Sequence, residues 1–222
     1  MSMTYDEKAI LEIETTSSVV ETAGGLAVVV LAIIGLARAD AGFITSIAGI
    51  VLGAALLAQG GTIAAEYSKL LAMTTGGMLG ASELGGGMTV EFLAGGAAVV
   101  LGILGLVFSP NILLAAVVIA VGAALVLGAS GFQQLNALKM QAAGLPEIAR
   151  KVGQAATRGA IAAQVLAGGA AIILGILAFS LTAHAAVLTL VGLLVLGASI
   201  AVSGTALTGR LLRLFNMNVK AA

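Results

Sequence analysis

Three polar side chains stand where a membrane-spanning helix has least use for them: Glu21, Glu91 and Gln164. Each lies three or four residues before a glycine pair (Gly24-Gly25, Gly95-Gly96, Gly168-Gly169), and each pair opens a long apolar run. A carboxylate inside a bilayer is costly; where one occurs it faces a bundle interior or an aqueous cavity and marks a function by default. Two arrangements account for the set. If three equivalent units surround a common axis, the side chains form a polar ring at one end of a bundle. If each instead stands in the first turn of its helix, the helix dipole and the headgroup region accommodate it without other partners. Gln59, Glu66, Gln133 and Gln134 fall near the same end and suit interhelical or interfacial hydrogen bonds.

The other chemistry-bearing side chains are few. His184 is the single histidine, and its ordinary titration range lies nearest neutrality, so an acid-sensing role is the one it suits. Arg38 and Asp40 stand two apart and form a solvated pair worth at most about 1 kcal/mol. There is no Cys, hence no disulfide, thiolate metal site or Cys nucleophile. A base, nucleophile and orienting group cannot be assembled from this inventory. No catalytic, cofactor-binding or metal-ligating residues are assigned, and an enzyme is not expected. The run GGMLGASELGGG lacks the lysine and the strand-turn-helix setting of a phosphate-binding loop.

Composition says what must position these groups. Of the 222 residues, 60% are hydrophobic and 9% charged, against about 25% charged in soluble domains. So few charges cannot cover a water-soluble globule, and the apolar runs must face lipid. Basic and acidic side chains cancel at ten each, which leaves no field to attract nucleic acid. The acidic first residues lack the pattern of a signal peptide, so insertion is expected to rest on the first span.

The apolar runs predict spans at about 19–37, 43–65, 91–108, 112–135, 160–181 and 185–208, each long enough for a hydrocarbon core roughly 30 Å thick. They are continuous and lack period-two alternation, which predicts helices rather than a barrel. The expected fold is all-α: a polytopic membrane protein of six transmembrane helices in three tandem hairpins. In this division, 1–18 is an acidic N-terminal segment, 19–65, 91–135 and 160–208 are the hairpins, and 66–90 is a Gly-rich flexible linker. Residues 136–160 form a basic linker with a short interfacial helix, and 209–222 a basic tail. Placing the glycine pairs in register gives spacings of 71 and 73 residues, a repeated unit with an even number of spans. Such repeats are parallel, unlike the inverted plan of many secondary transporters.

Nine of the ten Lys and Arg (Lys8, Lys69, Lys139, Arg150, Lys151, Arg158, Arg210, Arg213 and Lys220) fall on the side of the termini, and only Arg38 on the side of the hairpin tips. The positive-inside rule makes both termini cytoplasmic and the expected location a bacterial inner membrane. Arg150, Lys151 and Arg158 are expected to meet anionic lipid headgroups. The acidic segment 6–14 is expected to dock on the basic helix 146–158, in the same or a neighbouring chain. Charge reversal at those three residues would then expose the N-terminus to protease, and unchanged protection would count against it.

Lipid gives helices no hydrophobic reason to associate, so small residues that let backbones approach are expected at the interfaces. They recur at four-residue spacing: Gly49 and Gly53; Ala94, Ala98 and Gly102; Ala120, Ala124 and Gly128; Ala167, Ala171 and Gly175. The unit GILGLVFSPN followed by an apolar helix containing GAALVLGASG, best expressed over Gly102–Gly131 with Pro110 at the tip, resembles the short repeat of HdeD-like bacterial membrane proteins. The tips at Arg38-Ala39-Asp40 and Thr182-Ala183-His184 depart from it in having no Pro. The resemblance implies three tandem hairpins over 19–210 and a link to acid or general stress, with no catalytic residues to transfer.

Two functions compete. One is a structural or accessory membrane protein, packing through small-residue faces into a homo-oligomer or a larger membrane assembly, with lipid and anionic headgroups as further partners. The other is a channel or small-solute or proton transporter with a polar ring at Glu21, Glu91 and Gln164.

Overall fold

The structure, a computed structural model, describes residues 5–38, 41–73, 81–108, 111–142 and 147–219, with side chains described for 19–38, 41–61, 90–108, 112–129, 158–159 and 161–203. The described residues form six α-helices: α1 (Tyr5–Leu36), α2 (Ala41–Met73), α3 (Ala81–Phe108), α4 (Asn111–Ala142), α5 (Glu147–Ser180) and α6 (Ala185–Val219). Each contains a window long and apolar enough to cross a membrane: Val19–Leu36, Ala41–Gly61, Val90–Phe108, Ile112–Ala129, Ile161–Ser180 and Thr182–Ser203. With no water in a hydrocarbon core, backbone groups must bond within the segment, and helices do this regardless of how much Gly they carry. The chain is therefore an integral membrane protein in an all-α bundle.

The helix ends follow from local chemistry. Below Arg38, α1 closes with a bond from the Arg38 amide to the Gly35 carbonyl (3.3 Å). Helix α3 stops at Phe108, two residues before Pro110, as the restriction on residues preceding proline requires. Between α5 and α6, Leu181 leaves the helical region (φ −107°, ψ 69°) and a single 3₁₀ turn, Thr182–His184, reverses the chain. His184 is exposed in that turn.

Two expectations about the connections need correction. The stretch 66–90 is not a linker throughout: α2 continues to Met73 and α3 begins at Ala81, so its glycines at 85–87 lie within a helix. The basic stretch is not a separate helix lying in the interface. Helix α5 starts directly after Pro146 in the sequence and runs unbroken from Glu147 into its span. Gly153 and Gly159 lower helix propensity without ending a helix. Arg158 is exposed on it; the side chains of Arg150, Lys151 and the acidic segment 6–14 fall outside the described residues, as does Asp40.

Consecutive helices pack antiparallel, and α6 closes the ring by packing along α1. The ring has an inside and an outside. Helices α2, α4 and α6 meet one another along the axis, whereas the backbones of α1, α3 and α5 do not approach one another and each helix fills the outer groove between two of the inner ones, α3 and α5 meeting only through the side chains of Glu91 and Gln164. Burial follows this division: 50, 56 and 50% of the spans of α2, α4 and α6 are buried, against 28, 33 and 33% for α1, α3 and α5. The axis is filled with aliphatic side chains, among them Leu52 and Leu56 from α2, Val117, Val118, Val121 and Leu125 from α4, and Leu190, Leu193, Leu196 and Ile200 from α6. Outward residues such as Leu26, Val30, Leu93, Val100, Leu166 and Ile173 are exposed and face lipid.

Glycine brings the hairpins together at three closely similar crossings. A Cβ at Gly53 would stand 2.6 Å from the Gly95 carbonyl oxygen, one at Gly168 2.6 Å from that of Gly122, and one at Gly25 2.7 Å from that of Gly197. Only the absence of side chains allows α2 against α3, α4 against α5, and α6 against α1 to meet backbone to backbone. The expected small-residue faces are mostly used in this way within the chain. Gly102 packs on Ile50 and Ser46, Gly175 on Ile119 and Ala115, and Gly49 near Val117. Ala94, Ala98, Ala124 and Ala171 are buried, and Ala120 and Ala167 half-buried.

Candidate functional site

Hydroxyls in the body of the bundle are satisfied on their own helices. Thr45 donates to the Ala41 carbonyl (2.6 Å), Ser46 to Gly42 (3.0 Å) and Thr189 to Ala185 (2.7 Å), the back-bonding that lets short polar side chains enter membrane helices. Glu21, Glu91, Gln164 and Gln59 are different. They are 3, 1, 9 and 4% exposed, too long to bond their own preceding turn, and must find partners on other helices.

The glycine crossings place three of them. Glu21, Glu91 and Gln164 each lie four residues before the crossing glycine of their helix: Gly25, Gly95 and Gly168. The register of contact therefore uses the second glycine of the first pair and the first glycine of the other two, one residue off the register read from the glycine pairs. On the facing helices, Ser203, Gln59 and Gly128 each lie six residues beyond the crossing glycines Gly197, Gly53 and Gly122. At 1.5 Å of rise per residue, the two sets lie about 6 and about 9 Å from the crossings, within side-chain reach of each other, on the side that carries the termini.

The contacts are specific. Ser203 Oγ donates to Glu21 Oε1 at 2.7 Å and also lies 2.9 Å from the carbonyl oxygen of Ile200. Gln164 Nε2 donates to Glu91 Oε1 at 3.4 Å. Glu91 can reach across because Gly128 has no side chain, and a Cβ there would collide with the Glu91 carboxyl. The two carboxyl groups are close enough to act on each other electrostatically. The Oε1 of Gln59 is buried and has no hydrogen-bond partner among the described residues. Among the described residues, no Lys or Arg side chain lies against either carboxylate, and no group of three or more His, Asp or Glu side chains is placed to hold a metal ion.

The helix-dipole reading of these carboxylates does not survive. Helix α1 begins sixteen residues before Glu21, α3 ten before Glu91 and α5 seventeen before Gln164, whereas the dipole acts within the first turn. Burial removes the headgroup alternative as well. What results is an asymmetric cluster rather than a ring of three equal contacts: Glu91 bonds Gln164, while Glu21 bonds Ser203 on α6. Ser203 is the residue that sequence reasoning passed over. Its signal is faint, because one serine near the end of an apolar run looks like many others.

A cleft opens beside the cluster between α5 and α6. It encloses about 210 Å³ and is lined by Ala163, Gln164 and Ala167 from α5 and by Val195, Ala198, Ser199, Val202 and Ser203 from α6. Its polar wall thus contains the two donors that hold the carboxylates.

No protein-family model, curated protein or solved structure matches the chain.

Proposed function

We propose that this protein is a structural or accessory component of the membrane, a closed bundle that associates laterally through its outer faces with copies of itself or with a larger assembly. The observation that carries this reading is the axis. Leu52, Val118, Val121, Leu193 and Leu196 fill it with apolar atoms and each is at most 1% exposed, so the polar groups at one end have no aqueous route through the centre. The charge distribution sets both termini in the cytoplasm, and the resemblance to HdeD-like proteins supplies a bacterial inner membrane and a stress-related setting. In this orientation Arg150, Lys151 and Arg158 meet anionic headgroups.

The test is the mass and composition of particles extracted gently from native membranes. A homo-oligomer or a stoichiometric foreign subunit is expected; a solitary monomer would count against the proposal.

One observation favours a second reading, that of a channel or transporter: the burial of Glu21 and Glu91 together. Wild-type protein in liposomes is expected to show no proton or small-solute flux above protein-free controls. Flux that Glu91→Gln abolishes while the bundle stays assembled would establish the transporter reading instead.

A further inference from the structure

We propose that the cleft between α5 and α6 binds a small amphiphilic ammonium compound, whose cationic head completes the Glu21–Glu91 cluster and whose apolar body fills the cleft. The argument begins with hydrogen-bond supply. The cluster presents acceptors from Glu21, Glu91 and the unpartnered Oε1 of Gln59. Against them stand the Gln164 amide, at 3.4 Å, the NH2 of Gln59 itself, and the one hydroxyl proton of Ser203, which has two acceptors at 2.7 and 2.9 Å; none of these carries the charge that two carboxylates call for. Gln59 stands at the same six-residue offset from its crossing glycine as Ser203 does. Buried acceptors without donors are costly, and more so in a low-dielectric interior. The missing component is a donor, and beside two carboxyl groups it is a cation.

Geometry then selects the kind of cation. The filled axis offers no path for a hydrated ion. The cleft approaches the cluster from the side, where α5 and α6 border lipid, and five of its eight lining residues are Ala or Val. Gln164 and Ser203 line the cleft and also hold Glu91 and Glu21, so a ligand head that meets these two side chains lies next to both carboxyl groups. The cleft is open towards lipid, and its 210 Å³, against about 150 Å³ for an apolar cavity that holds benzene, accommodates a single ring or short alkyl chain with one ammonium head.

The experiment uses the full chain in phosphatidylcholine nanodiscs, with benzylammonium as the probe and benzyl alcohol as its uncharged match, and binding followed by titration calorimetry. Saturable binding is expected, with the ammonium favoured by roughly tenfold or more, as charge-assisted hydrogen bonds should give. Glu91→Gln is expected to erase that preference while leaving the alcohol unchanged. Ala163→Leu, at an exposed position on the cleft wall, narrows the site without touching the carboxylates and is expected to weaken both probes; it keeps the test open if Glu91→Gln fails to fold. Equal affinity for the two probes would mean that an acyl chain occupies the cleft or that a proton completes the cluster, and would overturn the proposal. Binding that Ala163→Leu leaves unaltered would place the probe elsewhere and overturn it as well.

Discussion

Val121→Asp is expected to prevent the bundle from assembling stably. Val121 is fully buried on α4 among the aliphatic side chains of the axis, where the described residues offer no cation and no free donor. An uncompensated buried charge costs about 3–5 kcal/mol, a large share of the roughly 5–15 kcal/mol by which folded domains are usually stable. Val121→Asn should be milder, at about 1–3 kcal/mol for an unsatisfied buried amide. Denaturation of detergent-solubilised protein by sodium dodecyl sulfate, followed by helicity and particle size, measures both. The substitution also separates the two functional readings. In a water-lined passage an aspartate would be hydrated and tolerated, so a Val121→Asp variant as stable as wild type would defeat the closed-axis argument.

The second large effect is expected at the glycine crossings. Gly25→Ala, Gly53→Ala and Gly168→Ala should each lower stability by about 1–3 kcal/mol, the usual cost of overpacking. The added methyl meets backbone atoms: the Gly197 carbonyl oxygen at 2.7 Å, the Gly95 oxygen at 2.6 Å and the Gly122 oxygen at 2.6 Å. No rotamer change can relieve such a clash, so the helices must separate and lose contact along their length. Gly96→Ala and Gly169→Ala are the matched controls. Each is the other member of its glycine pair, with nothing within 4 Å of its Cβ position, and alanine there should be neutral or gain up to about 1 kcal/mol in helix propensity. The same denaturation measurement decides. If adjacent glycines respond alike, the backbone crossings are not what holds the hairpins together.

The polar cluster explains why some of the site was legible and some was not. Glu21, Glu91 and Gln164 stand out as a set because each precedes a glycine pair in an otherwise apolar setting. Their spacing alone left them compatible with a helix-dipole site, a polar ring or a buried cluster. Ser203 is separated from Glu21 by 182 residues, and nothing local to either announces the other. Gly128 reads as one more small residue until the Glu91 side chain is seen lying over it.

What the sequence determined by itself is whatever depends on partition into lipid. Six apolar runs, too poor in charge to be soluble, must form spanning helices, because each segment has to satisfy its own backbone away from water. The helices' continuation past the spans, as in α5 from Glu147, escaped that reading, because polar helical turns outside a bilayer carry no partition signal. The tertiary structure alone decided which face of each helix turns inward. Helix rotation settles whether Gly24 or Gly25 meets α6, that α2, α4 and α6 own the axis, and that α5 and α6 part enough to leave a cleft beside two carboxyl groups. In lipid such choices rest on the fit of one backbone against another, and that fit belongs to pairs of helices, not to any stretch of chain.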